Sequence, residues 1–355
     1  MNINASFNSI PVVDLARWQG NTQEKQEFAR ELCDICHHVG FFQVINHDID
    51  KAFMDDLFAM IKQLFTLPED QKRLIDKRQS RHFRGWEDVG SEYTNNTPDM
   101  REQVDLWSEL SAREGGVNPT YLRLLGPNQW LPDSVLPEFK STSLAWFEKA
   151  GGLATRLLEV LSVGLELRSD ELTGLFGEES MSLVKLIHYP PTPENSAGVN
   201  AHHDTGFLTV LAPGPVAGLQ VQNASGEWIS VPSIPGAFVI NLGEMLQAMT
   251  GQYFVATAHR VITSEERYSV GYFHGPTLDT KLSVLNLPDE MVEAVRNSPR
   301  HEKAGFMARK EETESGVGDM GSSYKPAVYG EQLWNYFVRS YPDVVKQHYP
   351  NEVSY

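Results

Sequence analysis

The sequence predicts a mixed α/β (α+β) fold, in which a β-sandwich or barrel is flanked by helices. From residue 182 onward, short runs rich in β-branched and aromatic residues follow one another closely, with Gly, Pro and Asn between them. No helical pattern separates these runs, which favours a sandwich or barrel over a parallel sheet with crossover helices. Before residue 182, many apolar residues recur at helical spacing instead.

The N-terminal part of the chain combines short strands with helices. Strands are predicted at residues 9–15 and 40–47, where aromatic and β-branched residues are concentrated. Helices are predicted at 22–39 with Thr22 as N-cap, at 50–65, at 67–73, and at 137–167 with a break or kink near Gly151 and Gly152. The segment from residue 80 to 135 carries many Gly, Asn and Pro residues and is predicted to be irregular.

The C-terminal half begins with the strand-like runs. They are SLVKLIHY, FLTVLA, GLQVQN, EWISVP, AFVINLG, HRVIT and YSVGYFHGP. The tail from residue 287 is predicted to be helical, with a loop at 311–325 and a helix at 330–347. We divide the chain into an N-terminal region (1–135), a long connecting helix (136–180), a core (181–285) and a C-terminal helical extension (286–355). We expect these regions to form one compact structural unit.

Composition and charge exclude several classes of partner. The formal net charge is −17, whereas a nucleic-acid-binding protein needs a basic face. No apolar run approaches the roughly 20 residues that span a bilayer. The first residues show no signal-peptide pattern, so we expect a cytoplasmic protein. We expect no nucleic-acid or membrane partner, and a monomeric or weakly homo-oligomeric state.

Two motifs invite a functional interpretation that their surroundings do not favour. Cys33 and Cys36 form a C-x-x-C pair followed by two histidines, which is typical of zinc or redox sites. The chain has only these two cysteines, and they lie in an amphipathic helical pattern, so we predict helix packing. Residues 316–321 fit G-x-G-x-x-G, but the preceding KEETES is not strand-like, so we predict no dinucleotide site.

The stretch AHHDTGFLTVL (201–211) places a cluster of polar side chains before a β-prone run. In an extended strand residues i and i+2 share a face, so His202 and Asp204 converge while His203 points to the other side. His259, on another predicted strand, is the best candidate for a third ligand. Two histidines and one carboxylate on one face leave coordination positions open, which is typical of non-haem Fe(II) oxygenases.

Arg267 and Ser269 share a strand face by the same spacing. A guanidinium offers a planar fork to a carboxylate, and the hydroxyl adds a further hydrogen bond. An arginine inside a barrel would need an anionic partner, which a bound dicarboxylate supplies. The alternative is an exposed arginine on an edge strand that pairs with Glu265 or Glu266.

Together, H-x-D at 202–204, His259 and R-x-S at 267–269 resemble the pattern of 2-oxoglutarate- and Fe(II)-dependent dioxygenases. The chain looks most similar to the isopenicillin N synthase-like branch. Further matching stretches are IPVVDL, GFFQVINH, KLIHYPP, GLQV, GEWISVPSIPGAFVINLGEMLQAMTGQYFVATAHRV and RYSVGYFHGP. The resemblance covers about residues 9–345. It implies a double-stranded β-helix (jelly-roll) core at 181–285 and a non-haem dioxygenase N-terminal region at 1–135.

The resemblance also implies cofactors and residue roles. Fe(II) would be the metal, 2-oxoglutarate the cosubstrate, O2 the oxidant and ascorbate an activator. The implied iron ligands are His202, Asp204 and His259, and the implied 2-oxoglutarate residues are Arg267, Ser269 and Tyr189, with no catalytic residue beyond the metal ligands. Tyr189 has an alternative role as a core tyrosine. The asparagine that the family often has two residues earlier is Ile187 here.

Substrate selection is expected at the mouth of the barrel. Candidate residues are Arg84 and Tyr93 in the irregular segment and Phe273 in the last strand, with the C-terminal helix closing over them. Functional residues gather on loops over a rigid scaffold, but mutual packing of these loop residues is an equally simple explanation.

The implied function is oxidation, in particular hydroxylation, of a small-molecule substrate with release of succinate and CO2. Within the same fold, an isopenicillin N synthase-type oxidase that uses iron and O2 without 2-oxoglutarate, or an ethylene-forming enzyme, would show the same motifs. A non-catalytic jelly-roll binding protein is the alternative outside enzymes. A zinc hydrolase would need a general base near the metal, and the sequence offers no clear candidate.

Overall fold

The structure is a computed structural model, and it describes residues 6–94, 97–113, 117–192, 197–296 and 327–350. The helices in this part of the chain are α1 (Thr22–His38), α2 (Lys51–Thr66), α3 (Glu69–Lys72), α4 (Phe139–Gly164), α5 (Glu244–Met249), α6 (Asp289–Arg296), α7 (Tyr329–Ser340) and α8 (Pro342–His348). Short 3-10 helices lie at Leu15–Gln19, Arg73–Ile75, Lys77–Gln79, Thr120–Leu124 and Thr173–Leu175.

The strands in the described residues are numbered in order from the N-terminus. They are β1 (Val12–Asp14), β2 (Phe41–Ile45), β3 (Gly85–Glu87), β4 (Tyr93–Thr94), β5 (Thr97–Pro98), β6 (Glu102–Trp107), β7 (Leu183–Tyr189) and β8 (Ala197–His202). They continue with β9 (Leu208–Ala212), β10 (Leu219–Gln222), β11 (Trp228–Ser230), β12 (Phe238–Leu242), β13 (His259–Ile262), β14 (Arg267–His274), β15 (Lys281–Leu282) and β16 (Ala327–Val328).

Two sheets form the core. The major sheet has the order β1-β2-β12-β9-β14-β7-β6-β3, and the minor sheet has the order β11-β10-β13-β8. All pairs in both sheets are antiparallel except β1–β2. One buried apolar cluster draws residues from both sheets, among them Phe41, Ile187 and Val239 from the major sheet and Val199 and Val261 from the minor one. The two sheets therefore face each other across a shared interior.

The other face of the major sheet packs against helices. Along β7, Ile187 and Tyr189 belong to the interior cluster, whereas Val184 and Leu186 belong to the cluster that includes α1 and α4. This alternation follows from the period-two pleat of a strand. It also explains why SLVKLIHY has apolar residues at both odd and even positions, since both of its faces are buried.

The helices differ from the sequence prediction at two points. Asn21, not Thr22, caps α1, because its side chain accepts from the backbone amides of Gln23 and Glu24 while the Glu24 carboxylate returns to the Asn21 amide. The predicted break at Gly151-Gly152 was wrong, since α4 continues across both residues. A Cβ at Gly151 would lie 3.0 Å from the hydroxyl of Tyr272, so this glycine gives the helix room to approach the sheet.

The segment predicted to be irregular contains β3 to β6. Of these, β6 is buried throughout and pairs with both β7 and β3. Its sequence EQVDLW does not look like a buried strand, because Gln103 and Asp105 turn inward, where Asp105 meets buried cations. Buried charge that is paired gives no apolar signal in the sequence.

The two motifs with competing interpretations have different outcomes. Cys33 and Cys36 are both buried in α1 and form no disulfide, and the thiol of Cys33 points to the carbonyl oxygen of Leu161 in α4 at 3.6 Å. This is the helix packing that the sequence predicts. The motif at 316–321 and the predicted loop at 311–325 lie outside the described residues.

The predicted helix at 330–347 corresponds to α7 and α8. None of the described helices has the length and apolar character needed to cross a bilayer.

Candidate active site

Three side chains from two distant segments meet at one end of the minor sheet. Strand β8 ends at His202, strand β13 begins at His259, and these two residues are paired directly in the sheet. The Nε2 atoms of His202 and His259 each lie 3.6 Å from Oδ1 of Asp204. The ligand atoms of the three residues lie within 4.8 Å of one another. His203 lies outside this cluster and lines the neighbouring cavity.

Hydrogen bonds to the backbone fix the orientation of both imidazoles. Nδ1 of His202 donates to the carbonyl oxygen of Asn200 at 2.9 Å, and Nδ1 of His259 donates to that of Thr257 at 3.1 Å. A carbonyl oxygen only accepts, so the proton is assigned to Nδ1 and the Nε2 atoms face Asp204. Metal-binding histidines are commonly held in this way through the ring nitrogen that does not bind the metal.

The carboxylate of Asp204 is held by the major sheet. Asp204 lies in the loop after β8, so the strand pleat assumed in the sequence analysis does not orient it. Its Oδ2 accepts hydrogen bonds from Oγ1 of Thr209 at 2.6 Å and from Nδ2 of Asn241 at 2.7 Å. Oδ1 is thereby turned toward the two histidines.

The electrostatic environment favours the protonation states that a metal ion requires at Asp204 and His259, but not at His202. Burial raises the pKa of Asp204, but the two imidazoles and the Thr209 hydroxyl lower it more strongly, so the carboxylate stays ionised. Burial and the neighbouring His202 lower the pKa of His259 to about 4, so it is neutral near pH 7. Burial lowers the pKa of His202, but the hydrogen bond and charge of Asp204 raise it by more. A proton and a metal ion therefore compete for His202.

The donor set fits a ferrous ion. Two imidazole nitrogens and one carboxylate oxygen on one face suit Fe(II), whereas structural zinc sites usually have four protein ligands and often cysteine. Right-angled ligands at metal–ligand distances of about 2.1 Å would lie about 3 Å apart, slightly closer than the 3.6 Å seen here. His202 and Asp204 also border a cavity, so the cluster is open on one side.

Arg267 is a buried cation without a carboxylate partner among the described residues. It is 1% exposed, and its Nη1 and Nε donate to Oγ of Ser269 and to the carbonyl oxygen of Val216, both at 3.2 Å. The side chain of the adjacent Glu266 contacts Tyr268 and His188, not the Arg267 guanidinium. The alternative of an exposed arginine paired with a neighbouring glutamate was therefore wrong. A buried guanidinium without a counterion is costly, which points to an anionic ligand.

The pairing of β14 with β7 brings Arg267 and Ser269 to Tyr189. Arg267 is directly opposite Tyr189, and Ser269 is opposite Ile187. The guanidinium carbon of Arg267 lies 4.9 Å from the centre of the Tyr189 ring. Tyr189 is also part of the interior apolar cluster, so it packs in the core and contacts Arg267 at the same time.

Replacing Gly198 with alanine is expected to displace the Tyr189 ring. A Cβ at Gly198 would lie 2.6 Å from Cδ1 of Tyr189, which a buried ring can relieve only by moving. We expect a loss of about 1–3 kcal/mol in the free energy of unfolding, together with weaker binding of 2-oxoglutarate. Urea unfolding and a cosubstrate titration measure the two effects. Gly152→Ala is the matched control, because nothing lies within 4 Å of its Cβ position; equal behaviour of the two variants would contradict the prediction.

A cavity of ≈ 460 Å³ adjoins the cluster, and two of the three predicted substrate residues line it. Tyr93 and Phe273 are in its wall. Arg84 is not: it is fully buried, and its guanidinium donates to the carbonyl oxygens of His82 and Leu124. The predicted substrate role of Arg84 is therefore corrected, because its hydrogen-bonding groups connect loop backbone instead of facing the cavity.

The sequence analysis missed several polar residues of the cavity wall. Glu92, Arg101 and Lys185 line it, as do Gln332 and Tyr336 from α7. Lys185 could have been predicted from the sequence, because the strand period places it on the same face as Ile187 and Tyr189. The others gave no signal, since they come from an irregular segment and from a separate helix.

Of these cavity residues, Glu92, Arg101 and Lys185 belong to a buried network of ion pairs. The network consists of Lys77, Glu87, Glu92, Asp99, Arg101, Asp105 and Lys185. Burial raises the pKa of Glu92, but the cations of Lys185 and Arg101 lower it well below its usual 4.5. The ammonium of Lys185 lies 3.1 Å from the Glu92 carboxylate, and the Arg101 guanidinium lies 2.5 Å from it.

The stability of the protein is therefore expected to fall in acid. A carboxyl whose folded-state pKa is depressed contributes stability above its unfolded pKa and loses it as the pH falls toward the folded value. For Glu92 this loss begins near pH 4.5. The free energy of unfolding of the wild type and of Glu92→Gln, measured between about pH 6 and pH 3, should converge as the pH falls. A difference that does not depend on pH would contradict the role of Glu92.

Comparisons with known proteins agree with this geometry. The family model described as non-haem dioxygenase in morphine synthesis N-terminal matches residues 10–133, and that of the 2OG-Fe(II) oxygenase superfamily matches residues 179–276. A protein of Gibberella zeae named 2-oxoglutarate-dependent dioxygenase is 30% identical over 363 residues, which cover 98% of this chain and 93% of the relative. A homoarginine-6-hydroxylase of Arabidopsis thaliana is 30% identical over 298 residues, covering 79% and 89%.

Solved structures show the same fold. A full-length Neurospora crassa protein crystallised with alpha-KG superimposes with a TM-score of 0.73 at 21% identity, covering 96% of this chain and 99% of that one. The structure of JOX2 in complex with 2OG, Fe and JA gives a TM-score of 0.65 at 25% identity, covering 78% of each chain. The predicted mixed α/β (α+β) fold with a jelly-roll core is confirmed.

Proposed function

The chain belongs to the 2OG-Fe(II) oxygenase superfamily, and on this premise we propose how its residues serve a 2-oxoglutarate- and Fe(II)-dependent oxidation of a small molecule. The observation that carries the proposal is the combination of three converging donor atoms with a buried guanidinium that has no carboxylate partner among the described residues. The first suits a ferrous ion, and the second suits an organic acid.

The iron would be held by His202, Asp204 and His259. When bound, it would supply the oxidising chemistry, in which one O2 oxidises both the substrate and 2-oxoglutarate, and the latter leaves as succinate and CO2. The role of the protein is to hold the three donors, whose unused atoms are already engaged by the backbone and by the major sheet. The apolar interior between the sheets limits access of water to this region.

The cosubstrate would be held by Arg267, Ser269 and Tyr189. The guanidinium and the Ser269 hydroxyl are adjacent donors for one carboxylate, and the Tyr189 ring packs against the guanidinium. The family's frequent asparagine two residues before the tyrosine is replaced by Ile187, which lies in the apolar interior cluster. This chain would therefore bind the other end of 2-oxoglutarate without a side-chain amide at that position.

The prime substrate would occupy the cavity beside His202 and Asp204. Tyr93 and Phe273 would contact it, and α7 closes one side of the cavity. A volume of ≈ 460 Å³ suits a small molecule and not a folded polymer. The relative named homoarginine-6-hydroxylase supports a small-molecule substrate and hydroxylation as the outcome, and the structure solved with 2OG, Fe and JA supports binding of an organic ligand beside the cosubstrate.

The test is succinate formation by the purified full chain. The protein is incubated with Fe(II), ascorbate, 2-oxoglutarate and candidate metabolites, with and without oxygen. We expect succinate that requires both iron and oxygen, and none from Asp204→Ala. Oxygen consumption without succinate would favour an isopenicillin N synthase-type oxidase, and ethylene release an ethylene-forming enzyme. Absence of oxygen uptake under all conditions would favour a binding protein.

A further inference from the structure

We infer that Thr209 and Asn241 are positioning residues that hold Asp204 so that only its Oδ1 is free to bind a metal. The inference rests on the proposed iron site and extends it to two residues that are not ligands themselves. Oδ2 accepts two short hydrogen bonds, at 2.6 Å from the Thr209 hydroxyl and at 2.7 Å from the Asn241 amide. Oδ1 lies 3.6 Å from both imidazole Nε2 atoms.

The two donors form a prearranged pair on the major sheet. Thr209 on β9 and Asn241 on β12 are directly opposite each other in the antiparallel register, so their side chains stand side by side on one face. The interior apolar cluster includes Val239, two residues before Asn241, which places this face toward the minor sheet. Asp204 follows β8, which is an edge strand of that minor sheet. The pair therefore connects the two sheets through a metal ligand.

The backbone of the Asp204 loop is held independently of these side chains. The amide of Glu244 donates to the carbonyl oxygen of Asp204 at 2.7 Å, and the amide of Gly243 donates to that of Phe207 at 2.9 Å. Removing one side-chain donor would therefore leave the loop in place. What changes is the freedom of the carboxylate to rotate about its own side-chain bonds.

The arrangement has a chemical consequence for the site. A carboxylate can bind a metal through one oxygen or through both, and the second mode occupies an additional coordination position. The facial arrangement of two histidines and one carboxylate depends on positions that remain open for other ligands. By engaging Oδ2, Thr209 and Asn241 restrict Asp204 to a single donor atom.

The test compares two substitutions at one buried position. Thr209→Val removes the hydroxyl at nearly constant volume, whereas Thr209→Ser keeps it. Each full-length variant is titrated anaerobically with Co(II), read by its visible absorption, and then with Fe(II). We expect Thr209→Val to weaken metal binding by about 10- to 100-fold, the usual effect of losing a hydrogen-bond partner of a metal ligand, and Thr209→Ser to stay near the wild type. Asn241→Ala should resemble Thr209→Val.

The outcomes separate this inference from the iron site itself. If the wild type binds neither metal, the proposed site fails. If the wild type binds and Thr209→Val binds within about twofold of it, the positioning role is overturned and the site stands. A purely structural role would lower the thermal midpoint of the metal-free protein and affect Thr209→Ser as well. Thermal melting of the metal-free variants distinguishes the positioning role from a purely structural one. If Asn241→Ala does not fold, the comparison of Thr209→Val with the wild type still decides between the two roles.

Discussion

Replacing His259 with alanine is expected to abolish metal binding and turnover while the chain still folds. His259 supplies one of three donor atoms that converge within 4.8 Å, and the alanine variant would leave one imidazole and one carboxylate. We expect the Fe(II) affinity to fall by more than about 100-fold, beyond the loss seen when only a hydrogen-bond partner of a ligand is removed. Anaerobic metal titration measures the affinity, and circular dichroism and thermal melting report the fold.

His203→Ala is the matched control for this experiment. His203 is adjacent to the ligand His202 in sequence but lies outside the cluster of donor atoms. Its alanine variant should therefore bind Fe(II) as the wild type does. Loss of metal from His203→Ala would overturn the assignment of His202, and full metal binding by His259→Ala would show that the third ligand lies elsewhere.

Arg267→Ala is expected to weaken 2-oxoglutarate binding by about 30-fold or more, because truncating one partner of a buried charge pair costs about 2 kcal/mol or more. The affinity for Fe(II) alone should stay unchanged, since Arg267 is not part of the metal cluster. Arg267→Lys should recover little, because an ammonium lacks the planar fork of the guanidinium. Titration of the iron-loaded protein with 2-oxoglutarate measures both effects.

Two further variants make the Arg267 result specific. Arg260 is a control for loss of another cation: it stacks on Trp228 and donates to Gln220, and Arg260→Ala should keep cosubstrate affinity. Arg267→Met should leave the ligand-free protein at least as stable as the wild type, because it removes a buried charge without a carboxylate partner among the described residues. An unchanged cosubstrate affinity in Arg267→Ala would remove Arg267 from the proposed binding site.

The sequence predicts the proposed site where local spacing and strand pairing act together. Arg267 and Ser269 share a face because of the period of two along a strand, and the pairing of β14 with β7 brings Tyr189 to them. His202 and His259 are 57 residues apart by their numbering, and only the pairing of β8 with β13 makes them neighbours. The sequence analysis named His259 as the best candidate for a third ligand and the resemblance implied its role, but the spacing does not predict this pairing.

The errors of the sequence analysis have specific physical causes. Arg84 resembled a loop residue available to substrate, but its charge is directed to backbone carbonyl oxygens inside the protein. Strand β6 was missed because its inward side chains include the polar Gln103 and Asp105, and the charge of Asp105 is paired with buried cations. The glycine at position 151 of α4 reflects the close approach of the Tyr272 hydroxyl, which is a tertiary contact, and not a break in the helix. Local propensity contains none of this information.

The hydrogen bonds to Asp204 illustrate the same limit. Nothing near Asn241 in the chain indicates that its side chain contacts a residue 37 positions earlier. Thr209 lies five residues after Asp204, but an ordinary strand threonine gives no sign of its partner. Only the pairing of β9 with β12 places both donors at one carboxylate. The structure thus adds residues that support the ligands which the sequence suggested.

An anaerobic titration of the purified protein with Fe(II) and then 2-oxoglutarate tests the central claim most directly. We expect a visible charge-transfer band that appears only when both are present, saturates at one equivalent of each, and is lost in His259→Ala and weakened in Arg267→Ala. Admission of air should then yield succinate. Tight binding of Fe(II) without any band on addition of 2-oxoglutarate would contradict the claim that one cavity holds both the metal and the organic acid.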